Sequence, residues 1–96
     1  MSKTGGDLKP LAYLRAEIES IDEQLLALVI RRVDVAHRVA AAKKAAGLPV
    51  LDPKREAVVV RRAATFARDN GIEEEDLRDL FWSLVGLTRR AEIART

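Results

Sequence analysis

The feature that most constrains the fold is a heptad repeat in the first half of the chain. Apolar residues alternate at spacings of four and three over four repeats, which is the pattern of an α-helix that packs along one seam. The seam positions are Leu14, Ile18, Ile21, Leu25, Leu28, Arg32, Val35, Val39 and Ala42. The pattern predicts a helix from about Leu11, just after Pro10, to about Ala46, because Gly47 and Pro49 then end it.

The length of this helix is large for the size of the chain. A helix of about 36 residues is roughly 54 Å long, whereas a compact chain of 96 residues is about 32 Å across. The remaining residues are too few to cover the whole seam. The sequence therefore predicts a homodimer in which the long helices of two copies pack together.

Two further helices follow in the second half. Asp52 is a good N-cap and Pro53 a good first helical residue, so the second helix is predicted from Pro53 to about Asp69, before Asn70 and Gly71. The third helix opens with the acidic cluster at 73–76, which favours a helix N-terminus, and continues to about Arg95. Its inward-facing stripe is Leu77, Leu80, Phe81, Leu84, Val85 and Thr88. The predicted fold class is all-α, with three helices per chain in an intertwined homodimer.

Composition narrows the functional classes. The 96 residues predict a single helical domain over 1–96, with residues 1–10 as a flexible N-terminal tail. The chain has no Cys and one His, so a disulfide, a thiolate metal site and a multi-histidine metal site are not expected. No apolar run reaches the roughly 20 residues of a membrane span, and the first residues lack the apolar segment of a signal peptide. A cytoplasmic protein without membrane contact is expected.

Polar residues interrupt the predicted inward face of every helix. They are Arg32 and Lys43 on the first helix, Arg55 and Glu56 on the second, and Thr88 and Glu92 on the third. An unpaired charge on an inward face is costly. Either these charges pair internally, for example Arg32 with a carboxylate of the third helix, or they face a cavity that receives a small dianion. Solvated faces are expected for the other arginines, one of which could guard the mouth of such a pocket: Arg31, Arg38, Arg61, Arg62, Arg89 and Arg90.

Three segments carry a family resemblance. The stretches "LRAEIESIDEQLLALVIRR", "AAAKKAAGLPVLDPKRE" and "LFWSLVGLTRRAEI" resemble the all-helical class of chorismate mutases, and the resemblance covers about Leu11 to Ile93. It implies three helices per chain interlaced with a second chain. The implied activity is the [3,3] rearrangement of chorismate to prephenate, in the shikimate pathway of aromatic amino acid biosynthesis, without any cofactor.

The resemblance also implies roles for eight residues. The catalytic set is Arg15, Arg32, Lys43 and Glu92, and the substrate-binding set is Asp52, Arg55, Glu56 and Thr88. Arg15 would reach from one subunit into the pocket of the other. Arg32 and Lys43 would bind the carboxylates, and Lys43 also the ether oxygen. Glu56 would bind the ring hydroxyl, with Asp52 beside it.

Two of these positions depart from the family pattern. Thr88 lies where many members have Ser, and Glu92 lies where bacterial members often have Gln, a donor to the ether oxygen. An ionised Glu cannot donate a hydrogen bond. Glu92 would therefore donate only as the neutral acid, so that either burial raises its pKa or the activity rises toward acid pH; the alternative is a surface glutamate without a role.

The sequence leaves other functions open. The carboxylates Asp52, Glu56 and Glu92 would suit 4-amino-4-deoxychorismate, which carries an ammonium where chorismate has a hydroxyl. A related pocket eliminates pyruvate from isochorismate, and no residue discriminates against that reaction. A non-catalytic dimerisation module, dependent on a partner enzyme of the shikimate pathway, is a further alternative.

A nucleic-acid-binding role is disfavoured. The net charge of +2 and the pI near 9.3 favour binding to an anion. The acids are interspersed with the bases, however, and the aromatic residues amount to one Trp, one Tyr and two Phe. No basic stripe or stacking platform is therefore expected.

Overall fold

The computed structural model describes residues 8–95, which form three helices joined by two short connections. These are α1 (Leu8–Ala45), α2 (Pro53–Asp69) and α3 (Glu74–Arg95), which confirms the all-α prediction. No described helix combines the length and the apolar character that crossing a membrane requires.

The helix bounds differ from the predicted ones mainly at the start of α1. The helix begins at Leu8 rather than near Leu11, so Pro10 lies in its first turn. A proline is tolerated there because the first N–H groups of a helix have no acceptor within it. Residues 1–7 of the predicted flexible tail lie outside the described residues.

Contacts divide the chain into two compact units, residues 1–31 and residues 32–96. The described part of the first unit, residues 8–31, is the N-terminal stretch of α1. Its apolar seam is exposed, with fractions of 57% for Leu14, 58% for Ile18 and 54% for Leu25. The described residues of this unit thus leave the seam uncovered, and the single domain over 1–96 stays a prediction.

The second unit is built around the packing of α2 on α3. Its buried apolar residues are small: Ala40, Val60, Ala63, Ala64, Ala67 and Val85. Short side chains on α2 let the two helices approach closely. By contrast, no Cα atom in residues 32–45 of α1 lies within 8 Å of one in α2 or α3. This part of α1 therefore meets the α2–α3 pair through side chains alone, which leaves room for a cavity.

A glycine-ended turn leads from α1 to the loop before α2. Gly47 adopts a left-handed conformation with φ of 72°. The amide of Leu48 donates to the carbonyl of Lys43 at 2.8 Å, and the amide of Gly47 donates to that of Lys44 at 3.1 Å. This pair of bonds is a Schellman motif, and it fixes the direction in which the loop leaves α1.

Gly47→Ala should lower the free energy of unfolding by about 1 kcal/mol, because a Cβ is disfavoured in the left-handed region. Urea denaturation at a fixed protein concentration measures this. Gly86→Ala is the matched control: Gly86 is helical, and an added Cβ would meet only the end of the Arg90 side chain, at 3.2 Å. The control should be neutral or slightly stabilising. Equal losses in both variants would contradict the assignment.

Candidate active site

A cavity of about 320 Å³ lies within the second unit. Its walls come from the C-terminal part of α1, the loop before α2, the first turns of α2 and the second half of α3. Valines supply much of the apolar lining. The charged and polar lining residues are Arg32, Lys43, Asp52, Arg55, Glu56, Thr88, Arg89 and Glu92. A cavity of this size with a few convergent polar groups is typical of a small-molecule site.

The two cations of α1 are held by neutral oxygens. Nη1 of Arg32 donates to Oγ1 of Thr88 at 2.7 Å, and Nζ of Lys43 donates to the carbonyl of Val50 at 3.1 Å. Neither forms an ion pair with a carboxylate in the range 8–95. The alternative that Arg32 pairs with a carboxylate of the third helix is therefore wrong, since its partner there is a hydroxyl. Both positive charges remain available to an anion in the cavity.

Thr88 is a fixed acceptor for Arg32. Its side chain is buried, with 4% of the residue exposed. Its hydroxyl lies 3.2 Å from the carbonyl oxygen of Leu84 and 3.0 Å from that of Val85, and can donate to either. Because the hydroxyl proton points back along α3, its lone pairs face Arg32. The guanidinium is thereby oriented before any ligand arrives.

The first turn of α2 brings Asp52, Arg55 and Glu56 to the cavity. Oδ1 of Asp52 accepts from the backbone amide of Arg55 at 3.1 Å, and Pro53 takes the first helical position, as predicted. The cap fixes where α2 begins, and thus where its first-turn side chains lie. The Arg55 side chain is exposed and has no carboxylate partner among the described residues.

Arg89 lines the cavity, whereas the sequence favoured a solvated face for it and left open that one such arginine guards the pocket mouth. Nε donates to Oε2 of Glu56 at 3.0 Å and Nη2 to Oε1 at 3.1 Å, a bidentate pair. The hydrogen bond to Glu56 and its negative charge raise the pKa of Arg89 above its usual value. The guanidinium also lies 5.9 Å from the centroid of the Trp82 ring. No local pattern reveals this pair, because its partners are 33 residues apart.

Seven of the eight residues expected from the sequence line one cavity. The exception is Arg15, which lies in the N-terminal unit, is exposed and does not line the cavity. Glu92 lines it and is half-buried. The lining holds four cations and three acids, and one acid is neutralised by Arg89. Within the described chain, no cluster of three or more His, Cys, Asp or Glu could hold a metal ion.

Comparison with known families identifies one family, and relatives with named activities match the chain. The family described as chorismate mutase type II matches residues 14–93. The 4-amino-4-deoxychorismate mutase of Streptomyces venezuelae is 41% identical over 71 residues, which are 74% of this chain and 69% of that protein.

Two further relatives extend the comparison. The 4-amino-4-deoxychorismate mutase of Streptomyces pristinaespiralis is 36% identical over 83 residues, 86% of this chain and 64% of that protein. The chorismate mutase of Methanocaldococcus jannaschii is 31% identical over 67 residues, 70% of this chain and 68% of that protein. The matched region thus spans about two thirds of the length of each of these relatives.

Proposed function

The chain belongs to the chorismate mutase type II family, and from that premise we propose that it catalyses the rearrangement of chorismate to prephenate. Membership identifies the chain as an isomerase. The observation that carries the proposal is a small cavity lined by three cations, Arg32, Lys43 and Arg55, that have no carboxylate partner in the described part of the chain. A small dianion would compensate these charges.

The rearrangement depends on holding the substrate in a reactive shape. The ether C–O bond breaks while a new C–C bond forms within the same molecule, so neither nucleophile nor cofactor is needed. Catalysis then comes from positioning and from electrostatic stabilisation of the transition state. Arg32, already oriented by Thr88, grips one carboxylate through its forked N–H groups. Arg55 supplies a second cation at the start of α2.

Lys43 is the proposed donor to the ether oxygen. Negative charge grows on that oxygen as its bond to carbon breaks, and a donor already in place stabilises it. The hydrogen bond to Val50 uses one of the three N–H groups of the ammonium. The other two remain free for the substrate, and the bond to Val50 limits where the ammonium can lie.

We also propose that the protein is a homodimer whose two active sites are shared between the subunits. The seam of the N-terminal unit is about half-exposed at Leu14, Ile18 and Leu25, and its burial by a second copy would stabilise the assembly by roughly 1 kcal/mol per side chain. Arg15 lies on the same stretch of α1, which suits its delivery to the cavity of the other copy. A cytoplasmic location and a shikimate-pathway partner enzyme stay predictions.

A second candidate substrate is 4-amino-4-deoxychorismate. Two of the relatives carry the name of a mutase of this compound. Its ammonium would find carboxylates in the cavity, where Asp52, Glu56 and Glu92 all lie. The rearrangement is the same, and only the substituent on the ring differs.

The purified protein should convert chorismate to prephenate when chorismate, 4-amino-4-deoxychorismate and isochorismate are supplied separately and the products identified. Arg32→Met and Lys43→Met should each lower kcat/KM about 100- to 1,000-fold, as expected when a preorganised donor is lost. Arg61→Met, which changes an exposed arginine of α2 outside the cavity, should leave it unchanged. Conversion of neither rearrangement substrate would contradict the proposal. Pyruvate release from isochorismate would instead identify a lyase, and turnover only with an added partner enzyme would identify a dependent module.

Glu92→Gln should raise kcat at neutral pH and flatten its dependence on pH. We propose that Glu92 donates to the ether oxygen as a neutral acid, and the neutral form of a carboxyl group grows as pH falls. The wild-type kcat should therefore rise from pH 9 toward pH 5, whereas a Gln amide donates at every pH in this range. The charged groups that share the cavity with Glu92 are Arg32, Lys43, Asp52, Arg55, Glu56 and Arg89. Glu23→Gln, an exposed change on α1, is the control. A wild-type kcat that does not change with pH, together with a lower kcat for Glu92→Gln at neutral pH, would contradict this role.

Mixing two inactive variants should restore activity if the sites are shared. Arg15→Met and Arg32→Met each damage both sites of their own homodimer. In a mixed dimer both changes fall in one site and the other site is intact, so equal amounts should recover about one quarter of wild-type activity. Two Arg32→Met preparations mixed in the same way are the control. Subunit exchange is first demonstrated independently. If activity then does not recover, Arg15 and Arg32 act in a site formed by a single chain.

A further inference from the structure

The pair formed by Arg89 and Glu56 differs from the other ion pairs of the described residues. The others join neighbours in sequence through exposed side chains: Arg38 with Asp34, Arg68 with Asp69, and Arg78 with Glu75. Arg89 and Glu56 instead connect α3 to α2 inside the cavity, with side-chain exposures of 31% and 21%. Both oxygens of Glu56 accept a guanidinium N–H. Charge-assisted bidentate pairs of this kind are stronger and more directional than single contacts.

A second contact restrains the same guanidinium. Arg89 and Trp82 lie seven residues apart on α3, two turns along one face. The centre of the guanidinium is 5.9 Å from the centroid of the indole ring, within the range of a cation–π contact. Glu56 and Trp82 thus both restrain the position of the positive charge of Arg89.

The pairing changes what Glu56 can recognise. An unpaired carboxylate attracts an ammonium strongly, whereas one whose charge is neutralised by a guanidinium does so weakly. Each carboxylate oxygen has a second lone-pair site, so Glu56 can still accept a hydrogen bond from a neutral hydroxyl. Repulsion from Arg89 adds to the penalty for an ammonium at the same place.

Resting on the proposed function and on the role that the family resemblance implies for Glu56 at the ring hydroxyl, we propose that Arg89 is a specificity-determining residue that favours a hydroxyl over an ammonium at this position. Asp52 also lines the cavity, and the bond from its Oδ1 to the amide of Arg55 limits where this carboxylate can lie. Arg89 contacts Glu56 and Trp82 and acts through the charge it places beside the substituent. The site therefore discriminates chorismate from its 4-amino analogue through an arginine on α3.

The test compares kcat/KM for chorismate with kcat/KM for 4-amino-4-deoxychorismate. Arg89→Gln should lower the chorismate-to-amino ratio about five- to tenfold, since one charge is lost near a partly solvated substituent. Arg89→Lys keeps the charge and should hold the ratio within about twofold of wild type, although it loses the bidentate geometry. Arg90→Gln, next in sequence, exposed and outside the cavity, should change neither rate constant. Circular dichroism and size-exclusion chromatography confirm that each variant is folded and assembled.

A change on the other side of the pair should act in the opposite direction. Glu56→Gln keeps an oxygen that accepts from a hydroxyl but leaves Arg89 without its counter-charge, so the ratio should rise. Opposite shifts from the two variants cannot result from general structural damage. If Arg89→Gln does not fold, Glu56→Gln decides alone, and a ratio that is unchanged or lower would overturn the proposal.

The outcomes separate this inference from the proposed function. Conversion of both substrates by the wild type, with the same ratio in Arg89→Gln despite slower turnover, would show that Arg89 is only structural and overturn the inference. Conversion of neither substrate by the wild type would refute the proposed function, and the inference would fall with it.

Discussion

The hydrogen bond from Arg32 to Thr88 is the contact on which the arrangement of the second unit depends. Residues 32–45 of α1 have no Cα atom within 8 Å of α2 or α3, so close backbone packing does not join them. A long arginine side chain spans the gap and ends 2.7 Å from a buried hydroxyl on α3. The side chains between this part of α1 and the α2–α3 pair leave a space, and that space is the cavity. The residue that breaks the apolar seam is therefore the one that supports the site.

The charges of the cavity are arranged so that some are neutralised and others are not. Asp52 caps α2 and Glu56 is bound by Arg89, so two of the three acids already have fixed partners. Within residues 8–95, Arg32 and Lys43 donate to neutral oxygens and form no ion pair. Neutral partners orient a cation without cancelling its charge, which is the condition under which it can stabilise negative charge in a transition state. Under the proposed function, the same distribution favours anions, and Arg89 would select among them by the substituent on the ring.

Local signals in the sequence accounted for most of the helices and much of the site. The cap at Asp52 and Pro53 placed the start of α2 correctly, because capping depends on a few adjacent residues. The interruptions of the apolar faces by Arg32, Lys43 and Thr88 could also be found, since helical periodicity shows which side each position takes. The start of α1 was missed by three residues, because a proline in the first turn fits a helix as well as it fits the residue before one.

By itself, the sequence determined the helices, their apolar faces and the polar positions on those faces, because each follows from residues within one or two turns. Only the tertiary structure decided which of these side chains meet. It gave Arg32 a hydroxyl rather than a carboxylate, and it paired Arg89 with Glu56 across 33 residues of chain. It also left the seam at Ile18 and Leu25 exposed within the N-terminal unit. Periodicity fixes the face of a helix, but the partner of a side chain depends on the distance between helices, which packing alone sets.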